Sequence, residues 1–167
     1  MTSTSNLKKP LGVKVPQVIL VFWVIKLLST SVGESFADYL SETLNFGLAN
    51  TTYLMTAVML AVLIWQVSLR RYVPAVYWTA VALVSITGTL ITDNLTDWLE
   101  VPLTSSSLVF AVLLVVVFTV WYRKERTLEM KSINTREREI FYWLAILVTF
   151  ALGTAVGDLV SEEIGLG

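Results

Sequence analysis

Phe22-Trp23-Val24-Ile25-Lys26, then Val32-Gly33-Glu34 and Asp38, returns as Tyr77-Trp78, Gly88-Thr89 and Asp93, and again as Tyr142-Trp143, Gly153-Thr154 and Asp158. In each copy the glycine follows the tryptophan by ten residues and the acid follows the glycine by five. The aromatic pair opens an apolar run and the acid closes it. Each copy therefore reads as one membrane-spanning helix with an aromatic entry and a polar exit.

Composition agrees with that reading. The chain has 167 residues, 55% of them hydrophobic and 15% charged, with a mean hydropathy of +0.70. This is too apolar for an ordinary soluble domain and suits a lipid bilayer. With no Cys and no His, disulfides, thiolate or imidazole metal sites and the commonest general base are excluded. No basic patch points to nucleic acid.

Residues 1–13 read as a polar cytoplasmic leader, and 14–167 as a transmembrane repeat domain. Repeat 1 covers about 14–71, repeat 2 about 72–122, a polar linker about 123–139, and a half repeat about 140–167. The predicted spans are Pro16 to Leu40, Leu48 to Val67, Ala75 to Leu95, Ser105 to Tyr122 and Ile140 to Val160. About 20 apolar helical residues cross a hydrocarbon core of roughly 30 Å. The expected fold is an all-α polytopic bundle of parallel two-helix repeats with about five spans.

Of twelve basic residues, eleven fall in or just after the leader, at Arg70-Arg71, or between Arg123 and Arg138, all on one side of a five-span arrangement. The opposite loops hold Glu42, Asp97, Glu100, Glu162 and Glu163 and no Lys or Arg. The positive-inside rule then puts the N-terminus in the cytoplasm of a multi-pass protein of the bacterial inner membrane. Asp158 to Gly167 matches the spacing of Asp38 to Gly47, where the second span is about to start. Two readings stand open: a partial version of a longer protein with further C-terminal repeats, or a natural five-helix protein. A homo-oligomer is compatible with either.

The candidate chemistry lies in the acids. Glu34 and Asp38, like Asp93 and Asp97, are one helical turn apart and share a face. Asp158 supplies a third copy. Ionised groups at depth in hydrocarbon cost at least about 2.5 to 3.5 kcal/mol and normally face a cavity, a partner or an ion path. Glu34, Asp38, Asp93 and Asp158 are thus candidate ligands of a hard divalent cation, with Thr89, Thr154 and Asp97 as additional oxygen donors. The cation would be substrate or ligand, with no resident cofactor. The plainer reading is that these acids sit level with the headgroups, roughly 22 Å from their tryptophans, and are simply hydrated. Lys26, with Val81 and Ile146 in the other copies, is a candidate internal charge partner, or a snorkelling lysine. Gly33, Gly88 and Gly153 are expected at close helix contacts, and Trp23, Trp78 and Trp143 as interface anchors.

On these residues, with Lys14-Val15-Pro16, Thr92-Asp93 and Gly157-Asp158, the chain resembles a bacterial family of integral membrane proteins of unknown function. Its members are built from tandem two-helix repeats with a characteristic tryptophan, the domain-of-unknown-function 347 repeats. The resemblance covers about Lys14 to Gly167. It implies a four-repeat protein, whereas this sequence holds two and a half, and it brings no activity, substrate or catalytic residue. The functional expectation is a small cation transporter or exporter. The alternative is a non-transporting membrane scaffold or accessory subunit. No convergent nucleophile and base supports an enzyme.

Overall fold

The computed structural model describes residues 12, 14–16 and 19–165. Five helices follow one another: α1 (Leu20–Asp38), α2 (Leu48–Ser68), α3 (Pro74–Asp93), α4 (Leu103–Glu125) and α5 (Arg136–Ile164). Each, with its terminal turn where present, is long and apolar enough to cross a membrane. The expected all-helical bundle is what forms, and the protein is multi-pass.

Local chemistry sets most boundaries. Pro74 opens α3 at the first turn, where its missing N–H costs nothing. Thr135 accepts a hydrogen bond from the Arg138 amide at 3.3 Å, with Glu137 and Glu139 in the first turn of α5, as the helix dipole favours. That cap starts α5 four residues before the expected Ile140 and places Glu139 inside the fold rather than on a surface linker. Glu139 is 1% exposed. Pro16 does not open α1, which begins at Leu20. Instead, the segment ahead of it is tied by the Gly12 amide to Arg70 O and the Lys14 amide to Ile133 O. Of the expected leader, residues 1–11 and 13 lie outside the described residues. The linker carries one short 3-10 turn, Met130–Ser132.

The repeat is visible in the backbone. After Asp38 and after Asp93 the helix widens into a π turn, Tyr39–Thr43 and Asn94–Trp98. Each is followed by a residue in the left-handed region at the same repeat position, Asn45 (φ 50°) and Glu100 (φ 53°). Such π turns are uncommon and concentrate at functional places. In α5 the helix continues past Asp158 to Ile164 without one.

The hub of the packing is α3. Of its apolar window 67% is buried, against 17% in α1. It packs on α1, α2 and α5, while α4 lies against α5. Glycines set two of these contacts. A Cβ built on Gly33 would lie 2.9 Å from Ser85 Cβ and 3.2 Å from Ile86 N, and one on Gly88 would lie 2.8 Å from Phe150 Cβ and 3.1 Å from Ala151 N. Only glycine allows these backbones so close. Gly153 departs from the expectation: among the described residues nothing lies within 4 Å of a Cβ there.

Candidate functional site: an acidic cavity at one end of the bundle

The odd-numbered helices present equivalent residues toward one another in layers. The Tyr77 and Tyr142 hydroxyls share a buried hydrogen bond. Three turns further on, the Thr89 and Thr154 hydroxyls lie 3.2 Å apart. The two pairs have the same sequence separation of 65, so α3 and α5 keep one repeat register from the first pair to the second. In α1 the corresponding residues are Phe22, buried, and Glu34, half-buried. Thr89 and Thr154 therefore serve each other, and Glu34 occupies the same layer on the third helix.

One turn beyond that layer the bundle opens. A cavity of about 680 Å³ is lined by Asp38, Glu42, Asp93, Asp97, Glu100, Asp158 and Glu162, with Ser41 and Thr96 among the remaining groups. Seven carboxylates converge from α1, α3, α5 and the turns after the first two. No Lys or Arg is among the lining residues. The π turns account for the flare, because an extra residue per turn widens each helix just past its aspartate.

Three of the four principal acids named from sequence, Asp38, Asp93 and Asp158, meet in this cavity together with Asp97. Glu34, one helical turn before Asp38, is not among the lining residues. Asp93 is half-buried, whereas Asp38, Asp97 and Asp158 are exposed to the cavity and its mouth. Among the described residues no group of three acids is arranged to hold a metal ion. The arrangement is a broad anionic vestibule rather than a compact ligand cage. Such a wall concentrates cations electrostatically without stripping their hydration.

Lys26 meets an aromatic face instead of a carboxylate. Its ammonium lies 5.3 Å from the centre of the Phe150 ring, and the ion pairs among the described residues do not include it. Cation–π attraction is worth about 2 kcal/mol when the site is desolvated. This contact spans α1 and α5, which do not otherwise pack closely. The tryptophans divide in the same way. Trp23 is 54% exposed, as an anchor should be, and Trp78 is half-buried. Trp143 is 4% exposed and lies 5.4 Å from Tyr77, so its anchoring role gives way to packing between repeats.

Sequence reasoning missed a second polar cluster, at the opposite end of the bundle. The Lys14 ammonium donates to Glu139 Oε2 at 2.7 Å and to Val67 O at 2.9 Å. Gln66 Nε2 donates to Glu139 Oε1 at 3.1 Å. All three side chains are at most 1% exposed. The available signal was Gln66, a lone amide in the apolar run of α2, which needs a partner once buried.

No curated protein and no solved structure matches the chain. The family model described as Repeat of Unknown Function (DUF347) matches three times, at residues 21–72, 76–127 and 141–167. Those boundaries coincide with the α1–α2 hairpin, the α3–α4 hairpin and α5. The chain belongs to the family of Repeat of Unknown Function (DUF347) proteins.

Proposed function

We propose that this membrane protein is a small cation transporter or exporter in which the acidic cavity collects the ion and Glu34, one helical turn before Asp38, lies on the path inward. The observation that carries this reading is the convergence of seven carboxylates on one cavity with no basic residue in its lining. Unpaired acids at the end of a bundle repel one another. A fold that gathers them without neutralising them gains nothing in stability. Their use is in attracting cations. Oxygen-only donors favour hard ions such as Mg2+, Ca2+ or Mn2+. The basic loops at the other end would face the cytoplasm of a bacterium, so the cavity would open outward. We assign no enzymatic role.

The test is flux of a panel of divalent and monovalent cations in proteoliposomes, with Glu34→Gln and Asp93→Asn beside the wild type. Movement of one cation, lost in both variants while each still folds, is the expected result. Wild-type flux in both variants, or no flux of any ion, would remove the reading. The second reading, a scaffold or accessory subunit, draws on the exposure of Asp38 and Asp158. Fully hydrated acids need no ion path.

A further inference from the structure

A second groove, of about 410 Å³, runs along the outside of the bundle between α2 and α5. It exists because both helices pack on α3 and touch each other little. The neighbours of both walls lie within the chain, since α3 backs the pair and α4 flanks α5. Leu60 and Ile64 line one wall and Ile140 and Leu144 the other. At one mouth Ser68 closes α2 and Arg136 opens α5. No acid is among the lining residues.

Its length is that of half a bilayer. From Arg136 to Leu147 the groove follows α5 for about 16 Å, and from Ser68 back to Met59 it follows α2 for about 14 Å. One leaflet of a hydrocarbon core of roughly 30 Å is about 15 Å deep. A further spanning helix would need a groove crossing the whole membrane, as α2 and α5 do, whereas an acyl chain needs one leaflet. The mouth carries charge of one sign. Arg136 enters none of the ion pairs among the described residues. The acids of its own turn are engaged, Glu137 by Lys124 at 3.3 Å and Glu139 by Lys14 at 2.7 Å. Arg70 and Arg71, just past Ser68, are exposed and also outside those pairs.

We propose that this groove holds one phospholipid with an anionic headgroup, its phosphate on Arg136 and one acyl chain along the apolar face between α2 and α5. The guanidinium offers a phosphate paired N–H donors, and basic pockets between spanning helices are where anionic headgroups bind. Each half of the site argues for the other. A water-soluble anion has no use for the apolar trough, and a bare hydrocarbon has none for the arginine. Bound there, the lipid bridges α2 and α5 next to the buried contact that already joins them, Gln66 to Glu139 at 3.1 Å. The proposal requires only that the chain spans a membrane, so it stands whether or not an ion is transported.

The test is native mass spectrometry of the full chain in mild detergent with equimolar phosphatidylglycerol and phosphatidylethanolamine. The expected result is one phosphatidylglycerol retained per chain, several-fold above phosphatidylethanolamine. Arg136→Gln should lower that retention several-fold, and Arg136→Lys should keep most of it. Leu144→Trp, which fills the trough and leaves the charge in place, should lower it as well. Ile64→Trp repeats the filling from the other wall should Leu144→Trp insert poorly. Arg123→Gln, an exposed arginine of α4 outside the groove, should bind as the wild type does. Equal retention of the two lipids, or wild-type retention in Arg136→Gln and in the filled groove, would overturn the proposal. So would an equal loss with Arg123→Gln, which marks a general basic surface, or a second chain retained in place of lipid.

Discussion

The two ends of this bundle treat charge in opposite ways. At the basic end Lys14 and Glu139 form a buried pair, Arg138 bonds Glu125 at 2.6 Å, and Trp121 stacks on Phe141 with centroids 6.3 Å apart. At the acidic end seven carboxylates surround a cavity, and every ion pair among the described residues lies elsewhere. One end uses buried and partly buried pairs of opposite charge to tie helices together. The other keeps its charges unpaired, which is tolerable only where water or a cation can reach them. Paired and unpaired charges are thus separated along the bundle axis.

That contrast predicts unequal costs. Glu139→Ala would leave the Lys14 ammonium and the Gln66 amide buried without their acceptor, and removal of one partner of a buried pair costs about 3 to 5 kcal/mol. Thermal unfolding in detergent should show this as the largest single loss. A variant that unfolds with the wild type would mean that the lock at the basic end is not a lock. Gly88→Val would drive a side chain into Phe150 Cβ and the Ala151 backbone. Overpacking of about 1 to 3 kcal/mol is expected, read by the same melt, whereas Gly153→Val, with nothing among the described residues within 4 Å of its Cβ, should cost little. Equal losses at the two glycines would contradict the asymmetry of the α3 contacts. The smallest effect belongs to the acidic end: Asp158→Asn removes an exposed charge from a ring of like charges and should shift stability by no more than about 0.5 kcal/mol, with the sign toward stabilisation. A large loss there would show that this carboxylate holds the fold rather than serving the cavity.

The repeat, the number of spans and the identity of the acids were all legible in the residues, because apolar length and fixed spacing are properties of the chain itself. Asp38, Asp93 and Asp158 could be paired by register alone, and the π turns that follow the first two could not. A π turn depends on how a helix end meets its neighbours. The stretches after Asp38 and Asp93 share a pattern, Leu40-Ser41-Glu42 and Leu44 against Leu95-Thr96-Asp97 and Leu99. Yet Val160-Ser161-Glu162 follows Asp158 in the same way while α5 continues as an α-helix, so the residues alone do not decide the π turn. Lys26 shows the same limit. Its depth was readable, but its neighbour, Phe150, is brought in by α5 from far along the chain.

By itself, then, the sequence determined that three equivalent helices carry an acid at one end and aromatic residues at the other, since the bilayer imposes its thickness on any chain this apolar. Tertiary structure alone decided which of the equivalent residues became core and which remained open. Trp23 and Trp143 occupy the same place in their repeats, yet one is exposed and the other buried; Gly88 is filled and Gly153 is not. The physical reason is position in the series. Identical faces differ in burial according to whether a neighbouring helix covers them, and that neighbour is a property of the assembled bundle, not of the local sequence.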